Sequence, residues 1–190
     1  MESAPIEFRL PGVHALPRYV TIPLPIDSVS VQVENRAAWN GVRSLQDADF
    51  FTIGYAGRTI DELLTTLKVA GVATVVDVRN SAVSMYKPDF SKGNLRRHLE
   101  ASGIGYLHLP DLGVPRDIRS RAIGKKDRTE LWDWYDHNVV DQFVGHNLHY
   151  FFNFADHPLA FMCLEADPTS CHRHRLALAL ERLGLSGFDL

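Results

Sequence analysis

The run Val72-Ala73-Thr74-Val75-Val76-Asp77-Val78-Arg79 constrains this chain more than any other stretch. It is apolar almost throughout rather than alternating, the pattern of a strand covered on both faces. Such strands belong to parallel sheets whose crossovers are helices, so its neighbours should be helical. They read that way. Upstream, Phe50-Phe51-Thr52-Ile53-Gly54-Tyr55-Ala56-Gly57-Arg58 is a β-rich run ending in a glycine loop. Thr59 or Asp61 then caps a helix with an apolar stripe of Leu63, Leu64, Leu67, Val69 and Ala70, closed by Gly71. Downstream, a loop runs from Asn80 to Pro88, and Ser91 caps a helix from about Lys92 to Ala101, closed by Gly103. Ile104 to Leu109 is a third strand, stopped by Pro110.

Residues 111 to 128 read as a long polar loop with six basic side chains (Arg116, Arg119, Arg121, Lys125, Lys126, Arg128) against Asp117 and Asp127. A long helix, broken near Gly145, follows. Its stripe of Trp132, Tyr135, Val139, Val140, Phe143, Val144, Leu148, Phe151 and Phe152 is a core-packing face. The last unit is an apolar strand from Leu159 to Leu164, a tight loop, and a helix signalled by Asp167 and Pro168 and closed by Gly184. Gly187-Phe188-Asp189-Leu190 has the character of one more strand opening. The order β-α-β-α-β-α-β-α predicts an α/β fold: a single three-layer domain with a mainly parallel sheet flanked by helices, joined by right-handed crossovers.

Residues 1 to 48 differ. Five of the ten prolines, Pro5, Pro11, Pro17, Pro23 and Pro25, fall before Ser28, which excludes helix and central strand. Only Val29 to Val33 alternates as an edge strand does. The expected division is therefore a Pro-rich N-terminal extension over 1–48 and an α/β domain over 49–190. A formal net charge of −3 argues against a protein that coats nucleic acid uniformly. No apolar run approaches the roughly 18 residues of a membrane span, and Met1-Glu2-Ser3-Ala4-Pro5 does not open a signal peptide. Two cysteines make no disulfide framework and fit a reducing cytoplasm.

The chemistry collects at the strand ends, where open α/β sheets bind ligands. The first end supplies Tyr55 and Arg58, and the second Asp77 and Arg79, with Tyr86 and Lys87 in the following loop. The third supplies His108, and the fourth Cys163, Glu165, Cys171, His172 and Arg173. Carboxylates beside arginine and histidine at a helix N-terminus suit anion binding and proton transfer. Glu165, His172 and Asp77 are the candidates for proton transfer, with Cys171 the better candidate thiolate because His172 and arginines surround it. Arg79, Arg173, Tyr55, Arg58, Tyr86, Lys87 and His108 are the candidate substrate-binding residues. Cys163 reads as an inert buried thiol. A bland reading stands beside each: Asp77 tying strands together through Arg79 or Arg173, His172 satisfied by a neighbouring carboxylate, His174 and Arg175 on the surface. No metal is expected, since Cys163, Cys171 and His172 match no usual ligand spacing and the adjacent residues 171 and 172 should diverge. No cofactor is expected either.

Several motifs, in order, resemble the domain of unknown function 488 family (DUF488). They are Phe51 to Arg58, Val76-Asp77-Val78-Arg79, Tyr86-Lys87-Pro88-Asp89-Phe90, Tyr106 to Gly113, and Cys163-Leu164-Glu165-Ala166-Asp167-Pro168 with Cys171-His172-Arg173. The resemblance spans about Phe50 to Gly184 and implies a compact α/β domain with polar residues on the same rim, but no established reaction. This chain departs from the family in the loop after the second strand, where a proline and arginines commonly precede the Tyr-x-Pro segment and Ala82, Val83 and Met85 stand here. The layout is also similar to that of rhodanese-like domains, yet the first arginine after Cys163 is Arg173, too far for their anion loop.

Two functions follow as expectations. One is an enzyme using acid–base chemistry on a phosphate-bearing substrate, a nucleotide or nucleic acid. The other is a non-catalytic module that binds or senses the same ligands.

Overall fold

The computed structural model describes residues 45, 48–122, 127–147 and 155–190. The proposed extension, Lys125, Lys126, Leu148, Phe151 and Phe152 lie outside the described residues, apart from 45 and 48. Five parallel strands form one sheet: β1 (Phe50–Gly54), β2 (Thr74–Asp77), β3 (Gly105–His108), β4 (Leu159–Cys163) and β5 (Gly187–Asp189). Their spatial order is β3-β2-β4-β1-β5, with Gly54 beside Cys163 and Asp77 beside both Met162 and His108. Among the described residues, five α-helices accompany them: α1 (Ile60–Val69), α2 (Lys92–Ala101), α3 (Arg116–Arg121), α4 (Thr129–Tyr135) and α5 (His172–Arg182). The chain is thus an α/β domain with a parallel sheet, as its apolar strands predict.

Alternation along the central strands sorts the core into two layers. Phe51, Ile53, Val75, Ala160 and Met162 pack with Leu63 and Leu67 of α1 and Leu95 and Leu99 of α2. Phe50, Val76, Leu159, Phe161 and Cys163 pack with Tyr135 of α4 and Leu176, Ala177 and Leu180 of α5. All five residues of β1, β2's four and β4's five are buried, so each strand feeds both layers. Strand β4 sits between β2 and β1, whose following helices lie on the opposite layer from α5. That reversal is a topological switch point, the place beside which open α/β sheets bind ligands.

Local signals explain the helix ends. Thr59 and Glu62 form a reciprocal capping box at α1, and Gly71 takes the left-handed conformation just after it (φ +68°). Ser91 does stand at the start of α2, but its hydroxyl pairs with Ser84 instead of capping. Three expectations are corrected. The stretch read as a loop over 111–128 contains α3, because Pro115 presets a helix start ahead of an acidic first turn at Asp117. The long helix is α only to Tyr135 and continues as turns of π-helix over Asp136–Val140 and Phe143–Asn147, which keep Val139, Val140 and Phe143 buried. Asp167 caps a single 3₁₀ turn, Pro168–Ser170, and α5 begins one turn later with Cys171 at its N-cap.

Candidate active site

The sheet divides the predicted rim into two clusters. On the α1/α2 layer, Asp77 is fully buried and accepts from the Arg79 backbone N–H (3.2 Å), Arg79 Nε (2.8 Å), Arg79 Nη2 (2.6 Å) and the Tyr106 hydroxyl (2.7 Å). Arg79 also donates to Tyr55 Oη (3.1 Å) and to the Phe90 carbonyl (2.9 Å). Tyr55 stacks on Phe90 with ring centroids 4.4 Å apart. Burial opposes the Arg79 charge, but the Asp77 carboxylate outweighs it and raises the guanidinium's pKa. Burial and the same carboxylate raise that of Tyr106. Every nitrogen of the Arg79 guanidinium has a protein acceptor here. The geometry is that of a structural tie between strand ends.

On the other layer, four chemically capable groups meet. Cys163 Sγ lies 3.2 Å from Glu165 Oε2, 3.9 Å from His172 Nδ1 and 3.8 Å from His172 Nε2. Cys171 Sγ lies 3.9 Å from His172 Nδ1. The three donor atoms of Cys163, Cys171 and His172 all fall within 4.8 Å of one another. His172 Nε2 sits 3.0 Å from the Val78 carbonyl; since a carbonyl only accepts, Nε2 carries the proton. Tyr135 packs edge-on against the imidazole, with centroids 5.3 Å apart, and donates to the Leu112 carbonyl at 2.6 Å. The expectation that residues 171 and 172 diverge is corrected: an extended N-cap followed by the first helical residue turns both side chains inward.

Both thiols are buried, Cys163 at 3% exposure and Cys171 at 2%. The expectation that His172 and nearby arginines favour a Cys171 thiolate is likewise corrected. Burial, with the Cys163 thiol beside it, pushes the Cys171 thiol well above its usual value. Burial also works to raise the Glu165 carboxyl, but the Cys171 thiol, its own backbone amide, the Cys163 thiol and His172 outweigh it, and the carboxyl is held below the usual range. For His172, burial favours the neutral ring, yet Cys171, the Val78 carbonyl and Glu165 hold its pKa above the ordinary value. Cys163, set aside in the sequence as an inert core residue, touches both Glu165 and His172. Its signal was the alternation with Leu159 and Phe161, which aims it at α5. Nothing local in the sequence pointed to the Val78 carbonyl.

The remaining predicted residues are placed as follows. Arg173 is fully buried and donates to the carbonyls of Glu165 (2.5 Å) and Ala166 (3.0 Å) and to Asp189 (3.3 Å), fastening the loop after β4 to β5. That loop crosses so close to β1 that a Cβ on Gly54 would stand 1.8 Å from the Glu165 carbonyl oxygen. Arg58 donates to Gly54 O, Thr66 Oγ1 and Leu190 O, and Lys87 to Arg58 O. His108 Nε2 donates to Arg79 O at 2.9 Å, and Tyr86 is 99% exposed. Asp77 and Glu165 therefore do not share a cleft, and the arginines of the two strand ends are engaged by protein groups. Arg175 pairs with Asp136 and is not a freely solvated surface residue. A separate cleft beside α3 and α4 is lined by Ile118, Arg121, Ala122, Asp127, Arg128, Glu130, Leu131 and Trp134, and Arg128 reaches the Ser170 carbonyl ahead of α5.

Fold and site together define a small α/β domain with a thiol–imidazole–carboxylate cluster past the end of its middle strand. Residues 59–180 match the family described as Domain of unknown function DUF488, and the chain belongs to that family. No curated protein and no solved structure matches it. Among the described residues, no helix is long and apolar enough to cross a membrane.

Proposed function

We propose that the domain over 49–190 is an enzyme that moves protons at Glu165, with His172 and the Cys163 thiol completing the centre. It would act on a phosphate-bearing substrate, a nucleotide or nucleic acid, in a reducing cytoplasm. The observation that carries this reading is the packing of Glu165, Cys163, Cys171 and His172 around one point at the carboxyl end of β4. Acid–base centres need titratable side chains gathered around one partly exposed carboxylate. A carboxylate held ionised at neutral pH is a proton acceptor rather than a donor. Arg121 and Arg128, which line the cleft beside α3 and α4, with Arg128 reaching the Ser170 carbonyl ahead of α5, support an anionic substrate better than Arg79 and Arg173, whose donors face inward.

The test is turnover of a panel of nucleotides and short single-stranded RNA and DNA, followed by chromatography. Glu165→Gln keeps the side chain's shape and removes its proton affinity. It should cut any turnover found by about 10²–10⁴-fold while the melting temperature stays close to wild type. Equal turnover by the two proteins would remove Glu165 from the mechanism.

A further inference from the structure

Both cysteines of the chain, eight residues apart and on different elements, converge on one imidazole. We propose that Cys163, Cys171 and His172 are the ligands of a divalent ion of the zinc class, with Glu165 beside it as proton acceptor. The inference deepens the reading of this corner as an acid–base centre, because it gives Glu165 a bound ion to work against.

The donor set selects the ion. Two thiolates and one imidazole suit zinc and disfavour the hard, oxygen-seeking cations. Ordinary zinc bond lengths in a tetrahedron put sulfur and imidazole nitrogen about 3.6 Å apart. Both Sγ–Nδ1 separations here are 3.9 Å, a few tenths longer. Cys163 Sγ now sits as near Nε2 as Nδ1, so loading turns this thiol toward Nδ1 about one side-chain bond. The imidazole already holds the orientation that ligation needs. Its Nε2–H donates to the Val78 carbonyl, the outer contact that usually fixes a metal-binding histidine, and Nδ1 is the nitrogen left facing the two thiols. Binding replaces the two thiol protons, which leave to solvent, so two thiolates balance the ion's double charge.

Three protein ligands leave a fourth position open, the arrangement of catalytic rather than structural zinc sites. A Cys₂His ion with a nearby non-ligating glutamate is the set that hydrolytic nucleobase deaminases use to activate water. The same roles fit here: Cys163, Cys171 and His172 hold the ion, and Glu165 lies two residues beyond Cys163, within 3.2 Å of its sulfur. The chemistry implied is hydrolysis: water would attack an electrophilic carbon or phosphorus, Glu165 would receive the water's proton, and it would return that proton to the amine or oxygen whose bond to the attacked atom breaks.

The test uses the full chain, purified with a reductant, stripped by a chelator and titrated with Co²⁺. One equivalent should produce the near-ultraviolet sulfur-to-cobalt absorption and the visible bands of a tetrahedral site, and one equivalent of Zn²⁺ should abolish them. Cys163→Ala and Cys171→Ala should each lose most of the near-ultraviolet band. His172→Asn, which retains a donor for Val78, should weaken binding by more than the roughly 10–100-fold that an outer contact is worth. Circular dichroism on each variant separates lost ligation from lost folding. A wild-type protein that develops no thiolate absorption would overturn the metal site, as would a band of equal strength in Cys163→Ala. Neither outcome touches the Glu165→Gln comparison, so the ion and the acid–base reading fail separately.

Discussion

Replacing Asp77 by asparagine tests the division of the rim most directly. The carboxylate is fully buried and accepts four hydrogen bonds, three from Arg79 and one from Tyr106. Asparagine fills the same space but offers one oxygen and one N–H₂ group. If the oxygen keeps the Arg79 backbone and Nε contacts, the N–H₂ group faces Arg79 Nη2, a donor that cannot reverse. The Tyr106 hydroxyl can turn to accept; the guanidinium, 6% exposed, is left as a buried charge without its counter-ion. Removing one partner of a buried ion pair destabilises by about 3–5 kcal/mol. For a chain of this length each kcal/mol moves the midpoint by about 2–4 °C, so the loss should be roughly 6–20 °C. Urea unfolding should show a lower midpoint at an unchanged slope. Tyr106→Phe removes a single hydrogen bond to the same carboxylate and should cost about 1.5–3 kcal/mol, near or below the lower end of the Asp77→Asn range. A double variant, Asp77→Asn with Arg79→Met, should recover part of the loss, because it removes the stranded charge. An Asp77→Asn protein within about 1 kcal/mol of wild type would refute the strand-tie reasoning and restore Asp77 as a candidate reacting group.

Other perturbations probe other parts of the molecule. Thr59→Ala should destabilise by about 1 kcal/mol through loss of the α1 cap. Glu62, whose carboxyl is held below its usual pKa by the Thr59 amide and hydroxyl, binds fewer protons folded than unfolded. Its contribution is therefore complete above the usual glutamate range and is lost as pH falls through the lowered folded value. The stability gap between wild type and Glu62→Gln should close over that acid window and stay constant near neutrality. Gly54→Ala sets a methyl against the Glu165 carbonyl and should cost at least about 1–3 kcal/mol by overpacking. Cobalt titration of that variant should report a disturbed site even where it remains folded. If the 116–128 stretch contacts a polyanion, single-stranded RNA affinity should fall steeply with salt, and Lys125→Ala with Lys126→Ala should flatten the log–log slope by about two. An unchanged slope would place the contact elsewhere.

The layered architecture was legible because burial on two faces leaves an unmistakable mark. The non-alternating apolarity of Val75, Val76 and Val78 and the stop signals Gly71, Gly103 and Gly184 are local consequences of the fold. What was not legible depended on single residues of offset. The pair Asp167-Pro168 starts a 3₁₀ turn that satisfies itself through Thr169 and Ser170, and the α-helix waits for Cys171. That delay of one turn sets Cys171 at an inward N-cap, where burial opposes the thiolate expected of it. The same limit hid the two faces of the rim. Strand ends can be aligned from the sequence, but whether Asp77 and Cys163 look at the same helix depends on parallel register. Pairing Asp77 with Met162, not with Cys163, puts them on opposite sides.

Those two sides are still joined through one short piece of backbone. Asp77 and Arg79 are locked on the α1/α2 layer, by each other and by His108 Nε2 on the Arg79 carbonyl. Val78, between them, donates its N–H to Met162 O at 3.1 Å and offers its carbonyl to His172 Nε2 at 3.0 Å. The carbonyl that sets the imidazole's tautomer is thus part of a peptide whose flanking residues are both anchored in the opposite layer. A loop carbonyl free to tilt would leave the ring's two nitrogens interchangeable. A carbonyl fixed in this way holds one nitrogen as donor and presents the other to the thiols. The fully buried Arg173 does the equivalent on the far side, clamping the Glu165 and Ala166 carbonyls so that the carboxylate stays beside Cys163. In both places a charged group that the sequence offers as a ligand for an external anion is spent on holding backbone. The rim's cations therefore set the geometry of the cluster, and its reactivity resides in the thiols, the imidazole and Glu165.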